Sequence, residues 1–301
     1  MGSEDLEASV SSTYPLQAQL FDLLSDRQVG RILSQYQEAE DWPSIRMIRD
    51  LRDATTDHSW LWMLGPNGPR FTPHEFCLAV RVRIGADVAP PGHLCAVCGE
   101  SMDTRGIHAM NCAPGESTRG HYSLCSVVHC LASLSDSSAC TEVRGLVPSR
   151  PALRPADVLT SAAFGHLAAL DVCVTSPERS GAGPDACIAG AQRKLDKYAG
   201  VLDELVAEGY DYRPLVWSCW GRAGTDAAAA IRTLSAAAAR RRGLADDAPL
   251  ARRARALIGA RLWRRVGAMV RVCLQKVSSE DVADLLQDEK DDSYTSGGEV
   301  E

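Results

Sequence analysis

Apolar side chains in the first third of the chain recur at helical spacing. Between residues 15 and 38 they predict an amphipathic helix through Leu16, Leu20, Leu23, Leu24, Val29, Ile32 and Leu33. A second helix is predicted to begin after Trp42 and Pro43, because proline suits a first helical turn. Ile45, Ile48 and Leu51 follow it at a spacing of three.

A third helix is predicted over residues 71–84, where Thr72 and Pro73 form a plausible cap pair. We therefore expect a helical N-terminal region over residues 15–90. Residues 1–14 are largely polar and rich in serine, and we predict that they are disordered.

The apolar pattern changes in the second half of the chain from helical spacing to short runs separated by turn residues. In order it predicts a helix over 118–134, strands over 142–147, 156–159 and 167–174, a long helix over 185–208 closed by Gly209, a strand over 214–218, and helices over 226–240 and 248–276. Strands, a crossing helix and a further strand predict an α/β core.

Composition agrees with a folded chain. At 301 residues and 45% hydrophobic content the chain can bury a sizeable core. We find no apolar run that could span a bilayer, and the acidic N-terminus does not resemble a basic secretory signal, so an intracellular location is expected. The 11 cysteines include several isolated ones and are odd in number, which favours a reducing compartment.

The formal net charge of −7 averages over a basic segment and an acidic segment. Residues 231–276 contain twelve Lys or Arg against two Asp, whereas residues 278–301 form an acidic tail that we predict to be disordered. The arginine-rich helix over 248–276 has two readings of similar weight. It packs an apolar side into the core and exposes a solvated basic side, or it binds phosphates.

Four metal-ligating residues follow the helical region in the pattern C-x2-C-x9-H-x3-C: Cys95, Cys98, His108 and Cys112. Zinc accepts such a set tetrahedrally. Gly99 permits a tight turn after the first pair, and the last two ligands are one helical turn apart. We therefore predict a zinc knuckle over residues 91–115. Its ion would be structural, because four protein ligands leave no open position.

Other readings of this segment remain. The thiols are unliganded, or the Cys-x-x-Cys pair is a redox motif, although no predicted strand leads into it as in thioredoxin-like proteins. His93, His121 and Cys125 are nearby substitutes if one ligand is assigned wrongly.

A second constellation places acids on strands and bases on a helix. Asp157 and Asp171 could hold Mg²⁺ against a phosphate. Lys194, Lys197 and Tyr198 stand at i, i+3 and i+4 on the long helix, so one helical face would present them together. Such a set suits metal-dependent phosphodiester cleavage.

Each residue of this constellation also has an ordinary structural role. Asp157 could end a strand, Asp171 could begin one, and helical lysines usually face solvent. Glu142 is a further candidate acid whose commoner role is that of a surface residue.

Taken together, residues 60–277 resemble the C-terminal module of non-LTR retrotransposon proteins, a zinc knuckle followed by a restriction-like endonuclease of the PD-(D/E)XK superfamily. The matching motifs, in the family's order, are the knuckle, Arg-Gly-His at 119–121, Arg-Pro-Ala-Asp at 154–157, Leu-Asp-Val-Cys-Val at 170–174 and Lys-Leu-Asp-Lys-Tyr at 194–198. The resemblance implies a restriction-endonuclease-like mixed sheet with flanking helices over residues 116–277.

It also implies Mg²⁺-dependent nicking of DNA that begins target-primed reverse transcription. Asp157 and Asp171 would bind the metal, and Lys194, Lys197 and Tyr198 would complete the catalytic site. Three departures stand out: Pro-Ala-Asp in place of Pro-Asp, Cys173 where the superfamily often has lysine, and Gly120 between Arg119 and His121. The chain contains no Tyr-x-Asp-Asp polymerase signature.

Three functions remain open at this point: a DNA endonuclease with structural zinc and catalytic magnesium, a non-catalytic zinc-dependent nucleic-acid-binding protein, or an inactive retrotransposon remnant. The expected partners are DNA and possibly RNA, with no membrane. An enzyme acting on genomic DNA would be nuclear.

Overall fold

The computed structural model describes residues 16–61, 71–178 and 185–275, and only the backbone of residues 16–24. The described chain divides into two compact units between Arg49 and Asp50. The disorder predicted for the first 14 residues and for the acidic tail lies outside the described residues.

The first unit contains helix α1 (Leu16–Glu38) and most of helix α2 (Trp42–Arg52). A tight turn separates them, in which Glu40 has a positive φ of 53°. The side chain of Asp41 accepts from the backbone N–H of Ser44 at 3.3 Å and so satisfies a free amide at the start of α2. Both predicted helices are confirmed.

The second unit contains the remaining helices and all the strands of the described residues. In chain order these are α3 (Pro73–Arg83), α4 (Ala109–Cys112), α5 (Pro114–Ser135), β1 (Cys140–Thr141), β2 (Val158–Thr160), β3 (Leu167–Thr175), α6 (Ala186–Tyr198), α7 (Leu202–Ala207), β4 (Tyr210–Ser218), α8 (Thr225–Arg241) and α9 (Ala248–Leu274), with short 3₁₀ turns at Ser59–Leu61 and Ala199–Val201. Among the described helices none is both long and apolar enough to cross a membrane.

The strands form one mixed sheet in the order β1-β2-β3-β4. Both pairs that involve β2 are antiparallel, and β3 and β4 run parallel. A mixed sheet with helices confirms the predicted α/β class. The long central strand β3 alternates, so that Leu170 and Asp171 point to opposite faces of the sheet.

Helices cover both faces of this sheet. One face packs the side chains of Leu170 and Val172 against α5, α8 and α9 in a single apolar cluster. The other packs Ala169 and Tyr212 against Tyr198 and Leu205 of the α6–α7 segment. Asp171 lies on this second face, which is why its carboxylate meets α6.

Helix α9 is mainly a core element. Fifteen of its residues are buried, Arg265 among them, and the exposed arginines, Arg252 and Arg253, lie in its first two turns. Most of the arginine-rich helix therefore packs into the core, as the first of its two interpretations predicts. Its contact with α3 is tight, because a Cβ on Gly267 would lie 2.2 Å from the backbone oxygen of Glu75.

Two sequence predictions are wrong. Residues 142–147 do not form a strand, since Glu142 and Gly145 take positive φ angles of 53° and 78° that interrupt an extended chain. Leu146 and Val147 are nevertheless buried beside Tyr198. The apolar run is thus explained by packing of an irregular segment.

The second wrong prediction is the continuous helix over 185–208. Asp185 caps its start, its side chain accepting from the N–H groups of Cys187 and Ile188. A 3₁₀ turn at Ala199–Val201 then divides it into α6 and α7. The turn lets Tyr198 and Val201 both face the sheet. Gly209 closes the segment with φ of 85°.

Candidate metal centre and carboxylate–lysine site

The four predicted knuckle ligands come together in space. The ligand atoms of Cys95, Cys98, His108 and Cys112 all lie within 4.8 Å of one another, a group that could hold a metal ion such as zinc. The sulfurs of Cys95 and Cys112 are 3.6 Å apart, and Cys98 Sγ is 3.4 Å from His108 Nε2. Tetrahedral zinc bonds of about 2.3 Å would place ligand atoms about 3.8 Å apart.

Backbone hydrogen bonds shape the first half of this site. Cys95 N donates to Glu100 O at 2.8 Å, and Gly99 N donates back to Cys95 O at 2.8 Å. Gly99 has a φ of 78°, a conformation that favours glycine. The resulting tight turn directs the two thiols of the Cys-x-x-Cys pair to one side.

A carboxylate organises the second half. Asp103 Oδ2 accepts from His108 N at 2.6 Å, and its Oδ1 accepts from Ile107 N at 3.0 Å. These bonds hold the backbone that enters the short helix α4, which ends at Cys112. No expectation from the sequence gave Asp103 a role.

The knuckle is attached to the core of the second unit. Met102 and Met110 are buried, and Ala96 N donates to Cys273 O at the end of α9 at 2.8 Å. Burial opposes ionisation of the Cys95 thiol, but the N–H groups of Cys98 and Val97 outweigh it and lower its pKa to about 6. Such N–H donors also stabilise a thiolate bound to a metal.

The carboxylate–lysine site centres on Asp171 in the middle of β3. Lys194 Nζ of α6 donates to Asp171 Oδ1 at 2.8 Å, and Tyr212 Oη of β4 donates to Asp171 Oδ2 at 2.6 Å. The side chain of Asp171 is only 6% exposed. The strand begins four residues earlier, at Leu167, as predicted, so Asp171 does not have the alternative role of beginning a strand.

Asp157 lies where the β2–β3 ladder ends. Its N–H donates to Leu170 O at 2.9 Å, and its Oδ2 accepts from the next free amide, Val172 N, at 2.7 Å. It directly precedes Val158, the first residue of β2, which pairs with Leu170 next to Asp171 in β3. Asp157 thus stands at the edge of a strand, and it is close enough to Asp171 that its charge raises the pKa of that acid.

The two acids differ in electrostatics. Burial raises the pKa of Asp171 above its ordinary value, more than Lys194 and Tyr212 lower it. Burial acts in the same direction on Asp157, but the His121 side chain and the Val172 N–H outweigh it, so its pKa is lowered. Burial disfavours the charge of Lys194, yet the Asp171 carboxylate raises its pKa overall. The lysine therefore stays cationic beside Asp171.

The other two predicted catalytic residues, Lys197 and Tyr198, contact each other. Lys197 Nζ lies 2.9 Å from Tyr198 Oη, and Tyr198 is buried in the cluster below the sheet. Tyr198 Oη donates to Arg154 O at 3.4 Å. Glu142 is exposed and pairs with the Arg154 guanidinium at 2.8 Å. Of the three residues on the predicted helical face, Lys194 is the one that contacts a candidate acid.

A second group of ligand-type side chains adjoins Asp157. His121 Nε2 lies 3.4 Å from Asp157 Oδ1 and 3.5 Å from Cys125 Sγ. The three ligand atoms lie within 4.8 Å of one another. Burial, followed by the charges of Asp157, Glu142 and other carboxylates, raises the pKa of Cys125 far above its ordinary value. Without a cation, this thiol is neutral.

Tyr212 is the residue of the carboxylate–lysine site that the sequence predictions missed. Its contact with Asp171 depends on the parallel register of β3 and β4, in which Asp171 pairs with Pro214. The alternation of Tyr210 and Tyr212 in the strand could have placed both on one face. It could not have identified the partner.

No family model matches the chain, and comparisons with curated proteins and with solved structures likewise find no match.

Close packing explains why residue 120, in the Arg-Gly-His segment, is a glycine. A Cβ on Gly120 would lie 2.3 Å from Cδ of Arg265, whose side chain is buried against α5 and donates to Ser117 Oγ at 3.0 Å. A larger residue would displace this arginine. The close approach of α5 and α9 thus explains why the residue between Arg119 and His121 is glycine.

We expect Gly120→Ala to destabilise the protein by about 1–3 kcal/mol, the usual cost of overpacking. Gly115→Ala in the same helix is the matched control, because a Cβ there meets nothing within 4 Å. Urea unfolding of the two variants measures the difference. Equal stability of both would show that Arg265 moves aside without cost.

Proposed function

We propose that the protein is a Mg²⁺-dependent DNA endonuclease of retrotransposon type, with a zinc-stabilised knuckle ahead of a restriction-endonuclease-like core. The observation that carries the proposal is the contact of the buried Asp171 carboxylate with Lys194 at 2.8 Å, with Asp157 directly before the neighbouring strand. A carboxylate, a second carboxylate and an ammonium group in one place suit phosphodiester hydrolysis.

The donor set suits magnesium. Asp157 and Asp171 offer hard carboxylate oxygens, which Mg²⁺ prefers. Each carboxylate has about four lone-pair positions, so the bonds to Val172 N, Lys194 and Tyr212 leave capacity for a cation. When bound, Mg²⁺ would neutralise charge on the scissile phosphate and make a water molecule more acidic.

The residues of the chain would supply position and charge. Tyr212 and Lys194 hold the Asp171 carboxylate in one orientation. The Lys194 ammonium, which is 22% exposed, would face the negative charge that develops on the phosphate oxygens. In hydrolysis the water oxygen bonds to phosphorus and releases a proton, the bond from phosphorus to the 3′ oxygen breaks, and that oxygen takes up a proton. A 3′ hydroxyl of this kind is what a reverse transcriptase can extend.

The zinc knuckle would orient the chain or the nucleic acid and take no part in cleavage. Its four ligands would occupy all positions of a tetrahedral ion. A DNA substrate implies that the protein acts in the nucleus, and RNA is a further candidate partner of the knuckle.

The test is cleavage of supercoiled plasmid by the purified protein with Mg²⁺. We expect the wild type to convert plasmid to the nicked form and Asp171→Asn to do so at least about 100-fold more slowly. Asp211→Asn is the matched control, since Asp211 lies on β4 and pairs with Arg213 away from the site. Salt-sensitive DNA binding without cleavage by the wild type would instead select the non-catalytic binding function.

A further inference from the structure

His121, Cys125 and Asp157 form a metal-type cluster outside the knuckle. His121 and Cys125 are one turn apart on α5, and both face the start of β2. Cys125 Sγ, His121 Nε2 and the Asp157 carboxylate are mutually within 4.8 Å, close to the spread expected for ligands of one ion.

The cluster is held in place by the fold. Asp157 Oδ2 is fixed by Val172 N, which leaves Oδ1 directed at His121. Cys125 is 8% exposed and belongs to the apolar cluster between the sheet and helices α5, α8 and α9, so its sulfur has little freedom to turn away. The ring of His121, by contrast, is 29% exposed and gives an ion access from solvent.

The ligand types select the metal. A thiolate, an imidazole and a carboxylate together favour a borderline ion such as Zn²⁺ over Mg²⁺, which prefers oxygen ligands. Three protein ligands leave a fourth position open, as in zinc sites that bind water or a further ligand. The knuckle, with its four protein ligands, is closed by comparison.

We propose that His121, Cys125 and Asp157 bind a second zinc ion, separate from the ion of the knuckle. Binding displaces the thiol proton of Cys125 to solvent and forms the bond from sulfur to the metal. One consequence rests on the proposed nuclease function. Because Asp157 is shared with the magnesium site, zinc at micromolar or higher concentration competes with Mg²⁺ and inhibits nicking.

The first test counts zinc in the full chain by elemental analysis after dialysis against buffered free zinc. We expect two equivalents in the wild type and one in Cys125→Ser or His121→Asn. Cys130→Ser is the matched control, because Cys130 is exposed on the same helix, and it keeps two. Cys98→Ser, which opens the knuckle, also falls to one. Circular dichroism checks that each variant is folded.

Unchanged zinc content in both Cys125→Ser and His121→Asn would overturn the proposal. The zinc content is measured without any activity assay, so the second zinc site can be confirmed even if the protein is not a nuclease. If the wild type does nick plasmid, zinc should inhibit the wild type and Cys130→Ser at lower concentration than Cys125→Ser. If the wild type nicks plasmid but holds a single zinc ion, in the knuckle, the second zinc site is overturned and the proposed nuclease function stands.

Discussion

Removal of zinc from the knuckle is expected to unfold the segment between Cys95 and Cys112 while the four-stranded sheet stays folded. The short helix α4 has four residues and is too short to be stable alone, so we expect metal bonds to hold it. Structural zinc in comparable small sites contributes about 10–16 kcal/mol of binding free energy. Hydrogen exchange should show lost protection at Cys95 N and Gly99 N but not in β3.

A chelator would also reach any other zinc ion, so the cleaner experiment is Cys98→Ser. Cys77→Ser is its control, because Cys77 is exposed on α3 and belongs to neither metal-type cluster. We expect only the first variant to lose protection in the knuckle and at the end of α9, where Cys273 accepts from Ala96. Retained protection in Cys98→Ser would mean that packing of Met102 and Met110 alone holds the segment.

Features that depend on neighbouring residues in the chain could be predicted from the sequence. The cap of α3 is one, because Thr72 and Pro73 predict a helix start at this point. In the structure Thr72 accepts from Glu75 N, and the Glu75 side chain accepts from Thr72 N. The knuckle is another, because all four ligands lie within 18 residues and their spacing alone brings them together.

Features that depend on strand register could not be predicted. The pairing of Asp171 with Lys194 was expected in outline, since a strand and the following helix must pack together. Tyr212 reaches Asp171 only through the β3–β4 register, and His121 reaches Asp157 only through the docking of α5 on the sheet. Neither contact can be predicted from a single sequence, because each joins residues that are far apart in the chain.

The wrong elements have the same cause. The apolar residues of 142–147 resemble a strand in sequence, but their composition reflects burial and not an extended backbone. The helical spacing of apolar residues does not reveal the 3₁₀ turn after Tyr198, because so short a turn changes that spacing little. In both places tertiary packing decides the local conformation.

Lys194→Met is expected to remove nicking activity and to destabilise the protein at neutral pH. The activity loss should be about 100- to 1,000-fold if the ammonium stabilises developing phosphate charge. The stability loss should be about 3 kcal/mol, at the lower end for breaking a buried ion pair because Lys194 keeps 22% of its side chain exposed. Lys197→Met is the stability control, since Lys197 contacts Tyr198 instead of Asp171.

The pH dependence follows from the direction of the Asp171 pKa. Because burial raises the pKa of folded Asp171 above its unfolded value, its ionisation costs stability as pH rises from about 4 through the folded pKa. Removing Lys194 raises the folded pKa further. Urea unfolding should therefore show a larger difference between wild type and Lys194→Met at about pH 7 than at about pH 4.

The double variant Asp171→Asn, Lys194→Met separates charge compensation from catalysis. It removes both charges, so it should recover much of the stability lost in Lys194→Met while remaining inactive on plasmid DNA. If Lys194→Met is as stable as the wild type at neutral pH, the lysine does not compensate the buried carboxylate. If it is destabilised but nicks plasmid normally, the pair is a structural element, and the metal-binding acids must act without it.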